Sequence, residues 1–248
     1  MNYPFRAITT GEQDTAIVKA IQILLNKYGS GTIVVDGIFG KETFHAVKKY
    51  QCTHCDGQSH PLVIDGKIGL LTWTSLFEEK FIPAETSNEL YDEVIRIAVG
   101  EIGVCEDPLG SNEGERIDEY LRSVDMAPGY PWCAAFVYWC FMTASMNLYI
   151  RNPVPRTAGC MQLWKKSVDV RITRKEALQN PSLIVPGLIF IISRGDGKGH
   201  TGIVIGVENG IIHTIEGNTN NTCASEGLMV CALQRKISTI SAGFIKYN

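Results

Sequence analysis

Cys133, His200, Glu216 and Asn218 are the residues whose types and spacing point to chemistry. A thiol, an imidazole, and a carboxylate or amide to orient that imidazole are the parts of nucleophilic acyl transfer. Cys133 follows Tyr130-Pro131-Trp132 and opens the almost wholly apolar run Ala134-Ala135-Phe136-Val137-Tyr138-Trp139-Cys140. Pro131 biases Tyr130 away from helical geometry, so a helix is predicted to begin at Trp132 or Cys133, its first backbone N–H groups lacking intrahelical partners. The positive end of that helix stabilises a Cys133 thiolate and lowers its pKa towards the range where it attacks near neutral pH. A cysteine in an apolar run also serves as a small buried hydrophobe, so the case depends on what stands opposite it.

The element that must carry the base is a strand. Pro186-Gly187-Leu188-Ile189-Phe190-Ile191-Ile192 reads as buried strand, Ser193 to Gly199 as a polar loop, and His200 to Val207 as a second strand. Glu208-Asn209-Gly210 turns the chain into Ile211 to Asn218, and two later strands are predicted at Gly227 to Gln234 and Gly243 to Tyr247. With Asn209-Gly210 as a two-residue loop, Glu208 pairs with Ile211, and His200 falls opposite Thr219 with Glu216 on the other face. A three-residue loop pairs Val207 with Ile211 and sets His200 opposite Asn218 and Gly202 opposite Glu216, all three polar groups on one face. The three-residue form is predicted because it gathers them; a bulge would rescue the other register.

Upstream, Leu90, Val94, Ile95 and Ala98 mark a helix over Glu89 to Gly103, with Ser87 available as its cap. Cys105 to Gly114 reads as a loop. Asn112 followed by Glu115 reads as the cap of a helix bearing Ile117, Tyr120 and Leu121. A further helix is predicted near Ala158 to Lys166. Helices first and strands afterwards make an α+β domain with an antiparallel sheet.

The 248 residues suit one large domain or two small ones, and 45% hydrophobic with 20% charged residues is an ordinary globular balance. A net charge of -3 without a basic run gives no footprint for nucleic acid. Ala134 to Ile150 and Ser182 to Ser193 are too short for membrane spans, so no membrane segment is expected. Met1 to Thr10 lacks the basic-then-apolar pattern of a secretory signal, which predicts mostly free thiols among the eight cysteines. Cys133 and Cys140 could not bridge each other, being about 10 Å apart by helix rise. Cys140, Cys160, Cys223 and Cys231 read as core or surface thiols, and Cys52 and Cys55 as thiols of an insertion loop. His54 inside that pair is badly placed for zinc, and no metal or cofactor is expected.

Near the N-terminus, Asp36-Gly37-Ile38-Phe39-Gly40-Lys41-Glu42-Thr43-Phe44 recurs 29 residues later as Asp65-Gly66-Lys67-Ile68-Gly69-Leu70-Leu71-Thr72-Trp73. Each Asp-Gly makes a turn into a helix with a Thr and an aromatic anchor in its first turn. Ile17, Ile21, Leu24, Leu25 and Tyr28 form a preceding helix ended by Gly29 and Gly31. Three helices joined by two similar turns hold no acid, base and nucleophile together, which suits binding or spacing.

These N-terminal residues, over about 11 to 77, resemble the three-helix peptidoglycan-binding domain. That likeness implies a groove for cell-wall material near Asp36 and Asp65, although both carboxylates also suffice as turn formers. Pro131-Trp132-Cys133-Ala134-Ala135-Phe136, Pro186-Gly187, Gly199-His200-Thr201-Gly202-Ile203 and Glu216-Gly217-Asn218 resemble, over Glu89 to Tyr247, the cysteine- and histidine-dependent amidohydrolase/peptidase (CHAP) family. The resemblance implies a papain-like fold with Cys133 as nucleophile, His200 as base, Glu216 as orienting carboxylate and Asn218 as polar supporter. Trp132 and Asn112 become candidate substrate contacts. The domains implied are 1–80 for wall binding, 81–87 as linker and 88–248 for catalysis. The expected activity is peptidoglycan hydrolysis at an amide bond, by a monomer whose partner is bacterial peptidoglycan. Alternatives are a non-catalytic wall-binding protein and an amidase toxin with another substrate. Action at the wall would need lysis or a dedicated export route; otherwise the protein is expected in the cytoplasm.

Overall fold

A computed structural model describes residues 3–4, 6–56, 61–77, 86–208, 210–219 and 228–247. The chain divides into two units, Met1–Ile82 and Pro83–Asn248. Cys223, Asn209, Gly227 and most of the expected linker lie outside the described residues.

The first unit holds α1 (Thr15–Lys27), α2 (Lys41–Thr53) and α3 (Leu70–Phe77). Asp14 caps α1 by accepting from the N–H groups of Ala16 and Ile17. Val18, Ile21, Leu25, Val47, Trp73 and Leu76 fill the space between the helices. The sequence repeat becomes a repeated hydrogen-bond network around two buried glutamines. Gln22 donates to Asp36 (2.8 Å) and Thr43 (3.1 Å) and accepts from Gly37 N–H (2.9 Å). Gln51 does the same with Asp65 (3.1 Å), Thr72 (3.2 Å) and Gly66 N–H (2.9 Å). Asp36 and Asp65 also each accept from the N–H two residues ahead, so both carboxylates shape their turns. Gly66 has φ +73°, and an added Cβ would sit 2.2 Å from the Phe44 ring.

The second unit contains α4 (Glu89–Gly100), α5 (Glu115–Ser123), α6 (Cys133–Asn147), α7 (Cys160–Lys166), β1 (Arg171–Thr173) and α8 (Arg174–Gln179). Five strands follow: β2 (Ile189–Gly195), β3 (Lys198–Glu208), β4 (Ile211–Thr219), β5 (Met229–Lys236) and β6 (Gly243–Ile245). They form one antiparallel sheet in the order β1-β6-β2-β3-β4-β5. The molecule is thus an all-α unit followed by an α+β unit with helices on an antiparallel sheet. α6 buries Ala134 to Val137, Cys140, Phe141 and Ala144, which is why its sequence is apolar on nearly every face. Among the described residues, no helix is long and apolar enough to cross a membrane.

Several local expectations change. Asn88, not Ser87, caps α4 by accepting from Tyr91 N–H. Gly114, not Asn112, precedes α5, and Asn112 takes φ +56° instead. Most of the expected loop from Ser193 to Gly199 is strand, because Gly195 pairs with Lys198 and only Asp196 and Gly197 turn the chain. Both have positive φ, 49° and 75°, as a tight Asp-Gly hairpin turn requires. The hairpin bearing the base closes by the two-residue form: Glu208 pairs with Ile211. A bulge then shifts the register between Val204 and Gly206, so that Ile203 pairs with Ile215. The extra residue, Ile205, restores the alignment that a three-residue loop would have produced.

Candidate active site

Cys133 is the first residue of α6, and Trp132 precedes it without capping the helix through its side chain. Trp132 is fully buried. Its indole N–H donates to Glu106 (3.0 Å), whose other oxygen accepts from Gly110 N–H and so ties the loop after Cys105 to the nucleophile turn. Gly217 of β4 lets α6 settle there, since a Cβ on it would lie 2.6 Å from the Trp132 ring and 2.8 Å from Phe136.

His200, on β3, is wholly buried and its Nε2 hydrogen-bonds Glu216 Oε2 at 2.7 Å. Glu216 is buried as completely, which would favour its neutral form, yet Arg235 grips both its oxygens (2.6 and 2.5 Å) and Thr214 donates to one (2.6 Å). Arg235 and the imidazole outweigh burial and hold its pKa down to about 2. Arg235 reaches the carboxylate from β5, where it pairs with Ile212, over Leu233 opposite Thr214. Burial opposes a charge on His200 too, but the Cys133 thiolate and Glu216 raise its pKa to about 9. With Nε2 given to Glu216, Nδ1 is the nitrogen left for the Cys133 sulfur, and it makes no hydrogen bond of ordinary geometry.

The Cys133 thiol is held well below its ordinary pKa, first by the thiol of Cys160, then by His200 and by Ala134 N–H, against the opposing effect of burial. The two sulfurs are 3.3 Å apart. Cys160 responds in the opposite direction: the neighbouring thiolate and burial push its pKa well up, so it keeps its proton and donates it. The opposite shifts of the two reactive groups favour a Cys133 thiolate beside a His200 imidazolium over the uncharged pair.

Asn218 is buried in β4 with φ +52°, out of the strand's regular alternation. In one amide orientation Asn218 donates to Asn112 Oδ1 (2.7 Å); in the reverse orientation its oxygen accepts from the backbone N–H of Trp132 (3.1 Å) and shares the indole N–H with Glu106 (3.2 Å). Asn112 is brought in from the loop before α5. Cys133, His200, Glu216, Asn218, Trp132 and Asn112 are thus gathered in one place, while Asp36 and Asp65 belong to the other unit. Sequence reading missed Cys160 and Arg235, since neither has a local signature and both arrive by tertiary packing. A cavity of about 470 Å³ is lined by Tyr130 and Pro131, which precede Trp132 in the chain, and by Arg156, Thr157, Gly159 and Lys166 among others, but by none of the clustered residues.

A thiol at a helix start, an imidazole and a buried carboxylate on adjacent strands thus stand together in the second unit. Residues 125–218, which include Cys133, His200, Glu216 and Asn218, match the family model of the CHAP domain. Residues 14–76 match that of the "Putative peptidoglycan binding domain". The chain carries a peptidoglycan-binding domain followed by a CHAP domain, the pairing of a peptidoglycan hydrolase. No solved structure gives a significant match to the chain.

Proposed function

We propose that the protein cleaves an amide bond of peptidoglycan, in the stem peptide or at the sugar–peptide link, through a thioester on Cys133. The single observation carrying this reading is the buried Cys133–His200–Glu216 arrangement, with His200 2.7 Å from Glu216 and shifts that favour an ionised thiol and a protonated imidazole able to supply the leaving amine's proton. The thiolate adds to the carbonyl carbon, and the oxyanion forms next to the free N–H groups that begin α6. Collapse expels the amine as His200 protonates it. His200, now neutral, takes a proton from water, which attacks the thioester and releases the acid. Glu216, pinned by Arg235 and Thr214, orients the ring and stabilises its charged form, while Asn218 fixes Trp132 and hence the start of α6.

In the first unit, Val34 (70% exposed), Val35, Ile38, Val63 and Ile64 are exposed aliphatics flanking the two Asp-Gly turns. They form the surface proposed to hold the wall, against the apolar faces of its sugars and methyl groups. Asp36 and Asp65 act there by setting the turns that present these side chains.

Clearing of purified peptidoglycan by the full chain, followed by mass spectrometry of the released fragments, tests the hydrolase reading. New amine and carboxylate termini are expected from the native protein and none from Cys133→Ser. Undiminished clearing by Cys133→Ser would remove the assigned nucleophile.

A further inference from the structure

Cys160 forms no bond in the acyl-transfer steps beyond supporting the Cys133 thiolate, yet it begins α7 with its sulfur 3.3 Å from that of Cys133. Both residues are 6% exposed, so the contact is enclosed. From the strand side, Gly199, next to the base, packs against Cys160: an added Cβ would stand 3.4 Å from the Cys160 Cβ, an ordinary contact, and 2.5 Å from the Ile192 carbonyl, so glycine is what lets β3 pair with β2 here. A disulfide needs the sulfurs about 2 Å apart, so about 1 Å of combined travel would join them.

We propose that Cys133 and Cys160 form a peroxide-sensitive modification site, in which Cys160 resolves oxidised Cys133 into a reversible disulfide that shuts off the hydrolase. The inference rests on the reading of Cys133 as a reactive thiolate. The Cys133 thiolate attacks one oxygen of hydrogen peroxide, the O–O bond breaks, and the departing hydroxide takes the imidazolium proton of His200 to become water. This leaves Cys133 as a sulfenic acid and His200 neutral. The Cys160 sulfur then attacks the Cys133 sulfur, the S–O bond breaks, and the Cys160 proton leaves with the hydroxide as a second water. Two electrons pass from the two sulfurs to the peroxide, giving one S–S bond and two waters. The resting charge pattern favours this order, because the thiolate that holds the proton on Cys160 disappears once Cys133 is oxidised. A dithiol reverses the change by exchange, restoring both thiols at the cost of its own oxidation. With Cys160 replaced, the resolving thiol is lost and the sulfenic acid advances to sulfinic acid, which a dithiol does not reduce.

The full-length protein is treated with a few equivalents of hydrogen peroxide, and part of each sample is then given dithiothreitol. Non-reducing digestion and mass spectrometry of the native protein are expected to show the Cys133 peptide joined to the Cys160 peptide. Clearing of peptidoglycan should fall about tenfold or more and return with dithiothreitol. In Cys160→Ser, compared with its own untreated rate, the loss should persist after dithiothreitol, with sulfinic acid at Cys133. Sulfinic acid at Cys133 in the native protein with Cys160 still a free thiol would overturn the proposal, as would full dithiothreitol recovery in Cys160→Ser. The peptide map needs no enzymatic activity, so a disulfide found in a protein that never clears peptidoglycan would sink the hydrolase reading and leave the disulfide standing.

Discussion

At the scale of residues, the reactive pair is a balance between burial, which opposes charge, and mutual neutralisation, which restores it. Cys133 and His200 are both buried, which disfavours charge on either alone; beside each other, with Cys160 and Glu216 supporting opposite ends, the charged form of each is favoured. The active form exists above the lowered thiol pKa and below the imidazolium pKa of about 9. Clearing is therefore expected to be sustained through neutral pH and to be lost as pH rises through about 9, where His200 can no longer protonate the leaving amine. Alkylation of Cys133 by iodoacetamide should stay fast below pH 7, where an ordinary thiol has become slow. Cys140 is the internal comparison, since burial and the Glu101 carboxylate push its thiol well up. Stability follows the same signs. The contribution of His200 is complete below about 6.5 and lost as pH rises through about 9, while that of Glu216 is complete above about 4.5 and lost as pH falls towards 2. Equal alkylation rates for Cys133 and Cys140 at pH 6 would contradict the ion pair.

At the scale of elements, the site depends on how closely α6 and β4 approach. Gly217→Ala would force a methyl group within 2.6 Å of Trp132 and 2.8 Å of Phe136, both fully buried. The helix must move, at a cost of about 1–3 kcal/mol. Denaturant unfolding should show that loss, and Cys133 alkylation should slow as the thiol leaves the imidazole. Unchanged stability and reactivity would mean that the contact is not what seats the nucleophile. The helix start at Cys133 and the strands carrying His200 and Glu216 were legible because Pro131, apolar runs and Gly turns are local signals. The register was legible only in part: pairing near the turn follows Asn209-Gly210, but the bulge at Ile205 answers to packing of the whole sheet. The tight turn at Asp196-Gly197 had a readable dipeptide that the surrounding polarity obscured. α8 likewise has a capping box, Thr173 with Glu176, at the edge of a stretch otherwise without periodicity. Cys160 and Arg235 gave no local sign, since their partners lie 27 and 19 residues away in sequence.

At the scale of the molecule, the two units differ in character: one presents exposed aliphatic side chains and the other encloses the Cys133–His200–Glu216 cluster. The duplicated Gln22–Asp36–Thr43 and Gln51–Asp65–Thr72 networks spend their polar groups internally, so they make rigid turns and leave recognition to what the turns display. What they display is aliphatic: Val34 and Ile38 are 70% and 64% exposed, and Val63 and Ile64 46% and 49%. Exposed side chains of this kind have little to do with holding the fold, so charged replacements there should leave stability within about 0.5 kcal/mol. Burying a charge against sugar rings, in contrast, costs free energy on binding. The full chain with Val34→Glu and Ile64→Glu together is therefore expected to sediment with purified peptidoglycan about tenfold less than the native chain, a loss of about 1.4 kcal/mol in affinity. Its Cys133 alkylation rate should match the native value, because the substitutions lie in the other unit. Clearing should then fall at low wall concentration and recover as the wall becomes saturating, the mark of lost binding with intact chemistry. Sedimentation equal to that of the native chain would place wall binding on some other face of the first unit.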